Sequence, residues 1–207
     1  MRRFTKEWLE IVDQQYNHPS IITWVPFNES WGIPSILRDV RQQQFTEGIY
    51  HLTKALDPYR PVITNDGWEH TVSDILTLHD YVETGDGFLR RYKDSKDAIV
   101  NREITCNHWK YALAEGYGYR GQPIIISEFG GIAFRSDKGW GYGRQVLTEG
   151  EFLERFEGLT RAIKSVDYIS GYCYTQLADV QQEINGLLTE DRKPKIPLAQ
   201  IKEINLA

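Results

Sequence analysis

Apolar positions along the chain repeat at two spacings, which predict an alternation of helices and strands. Apolar residues at helical spacing predict helices at 5–16, 34–56, 99–115, 148–163 and 198–206. Shorter apolar runs, several rich in β-branched residues, predict strands at 21–25, 62–64, 75–78, 123–128 and 169–175. This alternation favours parallel strands joined by crossover helices, and therefore an α/β fold.

Two segments lie outside this pattern. Residues 84–121 are mostly polar, open with Gly85-Asp86-Gly87, and are predicted to form a long loop around the helix at 99–115. Residues 135–143 contain glycines and Trp140 and are predicted to form a mobile flap. The five predicted strands are fewer than the eight that a closed (β/α)8 barrel requires.

Composition places the chain among ordinary globular domains. Its 207 residues are 41% hydrophobic and 26% charged, which is enough apolar material for a sizeable core. The net charge is −5 and the basic residues do not cluster, so neither nucleic acid nor an anionic membrane is an expected partner. The N-terminus lacks the apolar segment of a signal peptide, so we expect a cytoplasmic location.

Cysteine and histidine give no support to metal chemistry. Cys106 and Cys173 stand far apart without zinc-site spacing, so we expect two thiols outside any disulfide. The five histidines are scattered and form no HExxH pair. We therefore expect no metal and no cofactor.

Two predicted strands each lead into a glutamate. The strand at 21–25 is followed by Asn28-Glu29, and the strand at 123–128 ends in Glu128. In a fold that gathers parallel strand ends on one rim, such a pair provides one ionised carboxylate and one proton donor. Position alone leaves an alternative open, in which each glutamate is a solvated loop residue or a charge at a helix N-terminus.

Aromatic side chains accompany these strand ends. They are Trp31, Trp68, Tyr81 and Trp140. Flat rings suit the apolar faces of sugars, but aromatic side chains also dominate protein cores. Each ring therefore has packing as its alternative role.

Several short motifs resemble, in this order and spacing, those of glycoside hydrolase family 2, which includes bacterial β-galactosidase and β-glucuronidase. The motifs are Asn17-His18-Pro19-Ser20-Ile21, Trp24 with Asn28-Glu29, Pro61-Val62 with Asn65-Asp66-Gly67, Ser127-Glu128-Phe129-Gly130, and Gly186-Leu187 with Asp191-Arg192-Lys193-Pro194-Lys195. The resemblance covers nearly the whole chain. It implies a (β/α)8 TIM-barrel glycosidase domain, here an incomplete barrel covering strands 4 to 8.

The resemblance also implies roles for individual residues. Glu29 would end barrel strand four as general acid/base, and Glu128 would end strand seven as nucleophile of a retaining mechanism. Asn28 would hold the sugar 2-hydroxyl, and Tyr81 would hydrogen-bond the nucleophile. For Asn28 the alternative is a turn residue that bonds local backbone.

Trp68 and His79 are further candidates for substrate contact, with a packed or hydrogen-bonded residue as the alternative for each. We expect Asp66 and Asp179 to be structural. If Glu29 ends strand four, the earlier strands and the β-sandwich domains typical of the family would lie upstream of Met1. Met1 is the only methionine, which fits an added initiator on a piece of a longer protein as well as a native start.

Two departures from the family pattern bear on the substrate. Many members carry a Trp on the last strand before an Ala-Asp pair, whereas this chain has Tyr174 followed by residues 175–179. Glucuronidases carry an Asn-Lys-Lys-Gly segment, whereas residues 185–188 here read Asn-Gly-Leu-Leu. The first departure concerns the usual sugar platform, and the second indicates that glucuronides are not the substrates. Among carbohydrate substrates we expect β-galactosides.

Two other functions remain open at this stage. One is a different barrel glycosidase, of the mannanase or cellulase type, which shares the Asn-Glu strand end. The other is a catalytically silent assembly fragment, because five strands do not close a pocket. An open sheet also has unpaired edges, so we expect self-association through them.

Overall fold

The computed structural model describes all 207 residues, which form an α/β structure with two compact units. The first unit comprises Met1–Leu78 with Asp97–Ile125, and the second comprises His79–Lys96 with Ile126–Ala207. The helices are α1 (Arg2–Gln15), α2 (Val40–Leu56), α3 (Gly85–Tyr92), α4 (Lys96–Val100), α5 (Glu149–Lys164) and α6 (Leu198–Leu206). The strands are β1 (Phe27–Asn28), β2 (Asn65–Asp66), β3 (Leu76–Asp80), β4 (Ile124–Gly130) and β5 (Ile169–Thr175). None of the helices combines the length and apolarity that crossing a membrane requires.

The core of the first unit is aromatic. Trp8 of α1 packs edge-on against Trp24, with ring centroids 6.2 Å apart, and Phe4 stacks on Phe27 at 4.4 Å. Strand β1 pairs in parallel with β2, so that Phe27 is opposite Asn65 and Asn28 is opposite Asp66. The core therefore lies directly beneath the strand that leads into Glu29.

The predicted strands of this unit were partly wrong. Of residues 21–25 and 62–64, only Trp24 and Val62 form a bridge, and the ladder β1–β2 lies further along both segments. Ile22 is 77% exposed whereas Trp24 is 4% exposed. Burial along the run 21–25 thus differs even between side chains two residues apart, which a continuous apolar run does not reveal.

Helix α2 begins at Val40, later than predicted. Asp39 is its N-cap, and its side chain accepts a hydrogen bond from the Arg41 amide. Residues 34–38 form turns instead. The predicted end at Leu56 is confirmed, and Asp57 follows as the C-cap.

Asp57 holds a buried hydrogen-bond network that makes stability depend on pH. Burial works to raise the pKa of Asp57, but hydrogen bonds from Trp24 and Arg60 together outweigh it and hold the pKa at about 2. An unfolded aspartate has a pKa of about 3.9, so the stabilisation is present above about pH 4 and is lost as the pH falls through 2.

We expect Asp57→Asn to remove this dependence. At pH 5 the variant should have a lower free energy of unfolding than the wild type. This difference should shrink by about 2 kcal/mol between pH 5 and pH 2, because the Asp57 carboxylate of the wild type becomes protonated over that range. Urea unfolding at several pH values measures the difference. A deficit that stays constant with pH would contradict the role assigned to Asp57.

The second unit contains most of a three-stranded sheet in the order β3-β4-β5, together with α3, α5 and α6. Phe129 of β4 packs edge-on against Tyr174 of β5, with ring centroids 5.6 Å apart. Helices α3 and α5 touch through two glycines, since a Cβ added to Gly85 would lie 2.4 Å from the Gly158 carbonyl oxygen. The predicted bounds of β5 and α6 are confirmed, and α5 agrees to within one residue at each end.

The prediction for residues 84–121 was wrong in its helix. The chain forms α3 and α4 early in this segment, and residues 101–115 contain no helix. The Thr84 hydroxyl caps α3 by accepting from the Gly87 amide, and Phe88 and Tyr92 bury one face of it. Glycines near the N-terminus of a capped helix were mistaken for loop residues.

The α/β class is confirmed, and the barrel is not closed. The five strands form a two-stranded and a three-stranded sheet rather than one continuous sheet. Self-association through strand edges stays a prediction. The segment predicted to be a flap is held by backbone bonds, among them those from the Trp140 amide to the Gln182 carbonyl and from the Ile184 amide to the Trp140 carbonyl.

Candidate functional site

Glu29 stands in a turn with an uncommon backbone. Glu29 and Ser30 have φ values of 52° and 61°, in the left-handed region that non-glycine residues rarely adopt. The Glu29 amide donates to the Asp66 carbonyl at 2.9 Å, and the Ser30 amide donates to Asn65 Oδ1 at 2.9 Å. Such a conformation persists only where surrounding contacts fix it, so β2 determines where the Glu29 side chain begins.

A buried polar network fixes Ser30 from its side chain as well. The Ser30 hydroxyl donates to Glu69 Oε2 at 2.6 Å and accepts from Asn65 Nδ2 at 3.1 Å. Glu69 is 3% exposed, and its other oxygen binds Lys110 Nζ at 3.0 Å. Sequence analysis missed Glu69 and Lys110, because no local pattern places these two residues beside Ser30.

Removing the charge of Glu69 should destabilise the first unit. Glu69→Gln keeps the shape of the side chain but leaves Lys110 without its carboxylate, and we expect a loss of about 2 kcal/mol in unfolding free energy. Urea unfolding measures it. Glu7→Gln is the matched control, because Glu7 pairs with Arg3 on an exposed helix face and should change stability little. Equal effects of the two variants would contradict the network.

Asn28 and Trp68 differ in exposure. Asn28 is exposed at the end of β1, and its carbonyl accepts a hydrogen bond from the Trp31 amide at 2.9 Å. Trp68 is 8% exposed, and Lys110 Nζ lies 5.5 Å from its ring centroid in a cation–π contact. Contact of either side chain with a substrate stays a prediction.

Glu128 of β4 lies in the second unit, where Tyr81 and His79 surround it. The Tyr81 hydroxyl donates a short hydrogen bond to Glu128 Oε2. His79 Nε2 lies 3.6 Å from the other carboxylate oxygen, and the His79 side chain is fully buried. The Glu128 side chain retains 24% exposure, so its carboxylate is held in place while part of the side chain stays open to solvent.

Tyr81 is a permanent proton donor in this arrangement. Burial raises its pKa far above the usual tyrosine value, the Glu128 charge and hydrogen bond raise it further, and Tyr142 adds to the effect. A neutral hydroxyl that donates to a carboxylate favours the ionised carboxylate. The geometry thus suits a Glu128 that acts in its charged form.

Side chains at the end of β5 and in the segment after it bond other parts of the chain. The Tyr174 hydroxyl accepts from the Ile132 amide at 2.9 Å and donates to the Asn185 carbonyl at 3.2 Å. Asp179 accepts from Lys195 Nζ and from the Gly186 amide, each at 2.8 Å. Asp179 therefore stabilises the chain itself, as we expected from the sequence.

Each glutamate thus has its own restraining network, one in each unit. Glu29 belongs to the first unit and Glu128 to the second. That their carboxylates share one substrate stays a prediction.

Comparison with known proteins gives a match over nearly the whole chain. A family model described as "Glycosyl hydrolases family 2, TIM barrel domain" matches residues 3–206. The chain belongs to that family. The resemblance stated from the sequence motifs is therefore confirmed, and the incomplete (β/α)8 barrel is the corresponding fold.

The proteins similar to this chain include β-glucuronidases and a β-galacturonidase. A β-glucuronidase from Canis lupus familiaris is 24% identical over 212 residues, which cover 94% of this chain and 30% of that protein. The crystal structure of a β-galacturonidase from Eisenbergiella tayi bound to galacturonate matches with a TM-score of 0.68 and 21% identity, over 98% of this chain and 36% of that one.

A third similar protein is the β-glucuronidase from Ruminococcus gnavus in complex with D-glucuronic acid. Its TM-score is 0.67 with 18% identity, over 99% of this chain and 36% of that one. The family 2 chain described here therefore spans about a third of the length of these relatives. At these identities the structural likeness concerns the fold.

Proposed function

We propose that this chain carries the catalytic residues of a retaining, exo-acting β-glycosidase, with Glu128 as nucleophile and Glu29 as general acid/base. The observation that carries the proposal is the Tyr81 hydroxyl donating to a partly exposed Glu128 carboxylate on β4. A nucleophilic carboxylate must be ionised, and this hydrogen bond favours that state. Family membership supports the reaction class.

The reaction would proceed in two displacements. Glu128 attacks the anomeric carbon while Glu29 gives its proton to the glycosidic oxygen, so the bond to the leaving group breaks and a glycosyl ester forms on Glu128. Glu29, now ionised, takes a proton from water, which attacks the same carbon and releases Glu128. A retaining mechanism requires the two carboxyl groups to lie ~5–5.5 Å apart across the bond.

Other residues would position the sugar. Asn28 is exposed beside Glu29 and is proposed to bind the 2-hydroxyl. Trp68 and His79 are proposed as weaker candidates for substrate contact, since both side chains are largely buried.

A neutral β-galactoside is the proposed substrate class. The Asn-Lys-Lys-Gly segment of glucuronidases is replaced here by Asn-Gly-Leu-Leu at 185–188, and the nearby Lys195 is already bonded to Asp179 and to the Ile184 carbonyl, each at 2.8 Å. Asn185 is fully buried, and its Oδ1 accepts from Gln176. The second candidate is a uronide, which the names of the glucuronidase and galacturonidase relatives favour.

A panel of nitrophenyl β-glycosides tests the function and separates the two candidates. The panel contains the galactoside, glucoside, mannoside, glucuronide and galacturonide, assayed with the full-length gene product and with the 207-residue chain alone. Activity of the former only would identify the chain as an assembly fragment of an active enzyme. No turnover by either would overturn the proposal.

Covalent labelling tests the roles of the two glutamates. A 2-deoxy-2-fluoro glycoside of the preferred sugar with a dinitrophenyl leaving group should form a stable ester on Glu128, because the fluorine slows both displacements and the good leaving group restores only the first. Peptide mass spectrometry finds the labelled residue. A label on any other residue would overturn the assignment of the nucleophile.

A further inference from the structure

Tyr142 is a residue of the second unit to which sequence analysis gave no role. It lies in the segment 140–144, between Trp140 and Arg144, which we name the Tyr142 loop. Its ring is parallel to that of Tyr81, with a centroid separation of 3.5 Å and an interplanar angle of 3°. The donor to Glu128 therefore has another aromatic ring covering one of its faces.

The Tyr142 loop is bound tightly to the segment that directly follows β4. The Tyr142 amide donates to the Gly131 carbonyl at 2.8 Å. A Cβ added to Gly131 would lie 2.3 Å from the Tyr142 ring, and one added to Gly141 would lie 2.5 Å from the Ala133 side chain. These glycines allow an approach that any other residue would prevent.

Arg155 of α5 binds the same loop from the other side. Its guanidinium donates to the Tyr142 and Arg144 carbonyls, each at 3.0 Å, and the Arg155 side chain is 9% exposed. Glu83 lies 3.6 Å from Arg155 and accepts from the Arg144 amide at 3.1 Å. Burial lowers the pKa of Arg155 from its usual value while the charge of Glu83 works to raise it. A buried cation and its carboxylate thus hold the loop backbone.

The ring of Tyr142 is itself oriented. The Trp140 ring meets it edge-on, with centroids 5.5 Å apart and an interplanar angle of 83°. An edge-to-face contact is one of the arrangements that aromatic rings prefer, so the Trp140 ring restricts the orientation of the Tyr142 ring. The stack on Tyr81 is therefore one side of a fixed aromatic arrangement rather than a contact between two loose side chains.

We infer that Tyr142 is a positioning residue for the nucleophile, because its ring holds the Tyr81 hydroxyl on the Glu128 carboxylate. The inference rests on the proposed function, since it assumes that Glu128 attacks the sugar. Tyr142 itself needs no contact with substrate for this role. Arg155 supports it by fixing the loop backbone.

Loss of the ring should appear in the pH profile. Without Tyr142, Tyr81 gains rotational freedom and donates to Glu128 for less of the time, so the ionised carboxylate is less favoured. We expect Tyr142→Leu to lower kcat/KM about 10-fold and to move the acid limb of the profile upward by ~0.5–1 pH unit. Tyr142→Phe keeps the ring and should retain most of the wild-type profile.

A double-mutant cycle separates positioning from general damage. Tyr81→Phe removes the donated hydrogen bond and should move the acid limb in the same direction. In the Tyr81→Phe/Tyr142→Leu protein the acid limb should move no further, because the group that Tyr142 positions is already absent. Additive shifts would overturn the inference.

Tyr172→Leu is the matched control. Tyr172 lies on β5 in the same unit, and its hydroxyl donates to Asn205 rather than to Glu128. We expect it to leave the acid limb in place. An equal shift in Tyr172→Leu and Tyr142→Leu would overturn the inference.

The inference and the proposed function fail in different ways. An active wild type whose Tyr142→Leu variant keeps the acid limb contradicts the inference alone. A wild type that turns over no glycoside contradicts the proposed function. In that case the crystal structure of Tyr142→Leu still decides the inference. A Tyr81 hydroxyl displaced from Glu128 in this variant would support the inference, and a Tyr81 that has not moved would overturn it.

Discussion

Replacement of Glu128 by glutamine is expected to lower kcat for the best nitrophenyl β-glycoside by about 10⁴-fold or more, in the full-length gene product. The amide keeps the size of the carboxylate and can still contact Tyr81, but it has no negative charge with which to attack the anomeric carbon. The first displacement forms the bond between a Glu128 oxygen and the anomeric carbon, and the second breaks it. No choice of leaving group should therefore restore the rate. Initial-rate kinetics measure the loss.

The variant Glu128→Gly gives a sharper test of the same role. Added azide can occupy the space of the missing carboxylate and attack the anomeric carbon once, which would give the α-glycosyl azide with inverted configuration. Glu154→Gln on the exposed surface of α5 is the matched control and should keep wild-type activity. A Glu128 variant with wild-type kcat, or an azide product with β configuration, would contradict the nucleophile role.

Replacement of Glu29 by glutamine is expected to slow hydrolysis of substrates with poor leaving groups by 10²–10⁴-fold, the usual contribution of general acid–base catalysis. A disaccharide or alkyl glycoside needs the proton that Glu29 supplies, whereas a dinitrophenolate leaves without it. The loss in kcat/KM should therefore be small for dinitrophenyl substrates. A series of leaving groups of graded acidity measures this dependence.

Azide also distinguishes Glu29 from Glu128. In the Glu29→Gln protein the glycosyl ester still forms on Glu128, and azide attacks it without needing a general base, which would give the β-glycosyl azide. Loss of activity that is equal for all leaving groups would contradict the acid/base role. An α-azide from this variant would indicate that the two roles are exchanged.

The elements that the sequence predicted best are those whose ends are determined locally. Thr148 caps α5 through its side chain, and Pro197 directly precedes α6, so the bounds of both helices followed from a few residues. Strand β5 is bounded equally well, because small and aromatic side chains alternate over residues 171–175 and polar segments flank the strand. Local signals of this kind do not depend on the rest of the chain.

The errors occurred where distant residues decide the structure. Strands β1 and β2 have only two residues each, and their register depends on each other rather than on their own apolar runs. Glycines beside Thr84 hid the beginning of α3, because the cap and the burial of Phe88 outweigh the low helix propensity of glycine. Propensity alone favoured a loop there.

The residues of the candidate site also fall into those that the sequence predicted and those that it did not. Glu29 and Glu128 stand in recognisable motifs, and the resemblance to the family implied the role of Tyr81 as well, so all three residues were predicted from the sequence. Glu69, Lys110 and Tyr142 carry no such signal, since each acts on a residue that is distant along the chain. Packing between distant parts of the chain determines which residues hold the reactive groups in place. A local sequence pattern does not reveal such packing.

The contact between Gly85 and Gly158 limits how this domain can change. Only three residues separate Tyr81 from α3. A shift of α3 would therefore also move the Tyr81 hydroxyl beside Glu128. The substitution Gly85→Ala adds a methyl group that would lie 2.4 Å from the Gly158 carbonyl oxygen, whereas a Cβ added to Gly158 meets no atom within 4 Å. Random mutagenesis that selects for activity should therefore recover almost no substitutions at Gly85, although this residue has no side chain to offer a substrate, and should recover alanine at Gly158.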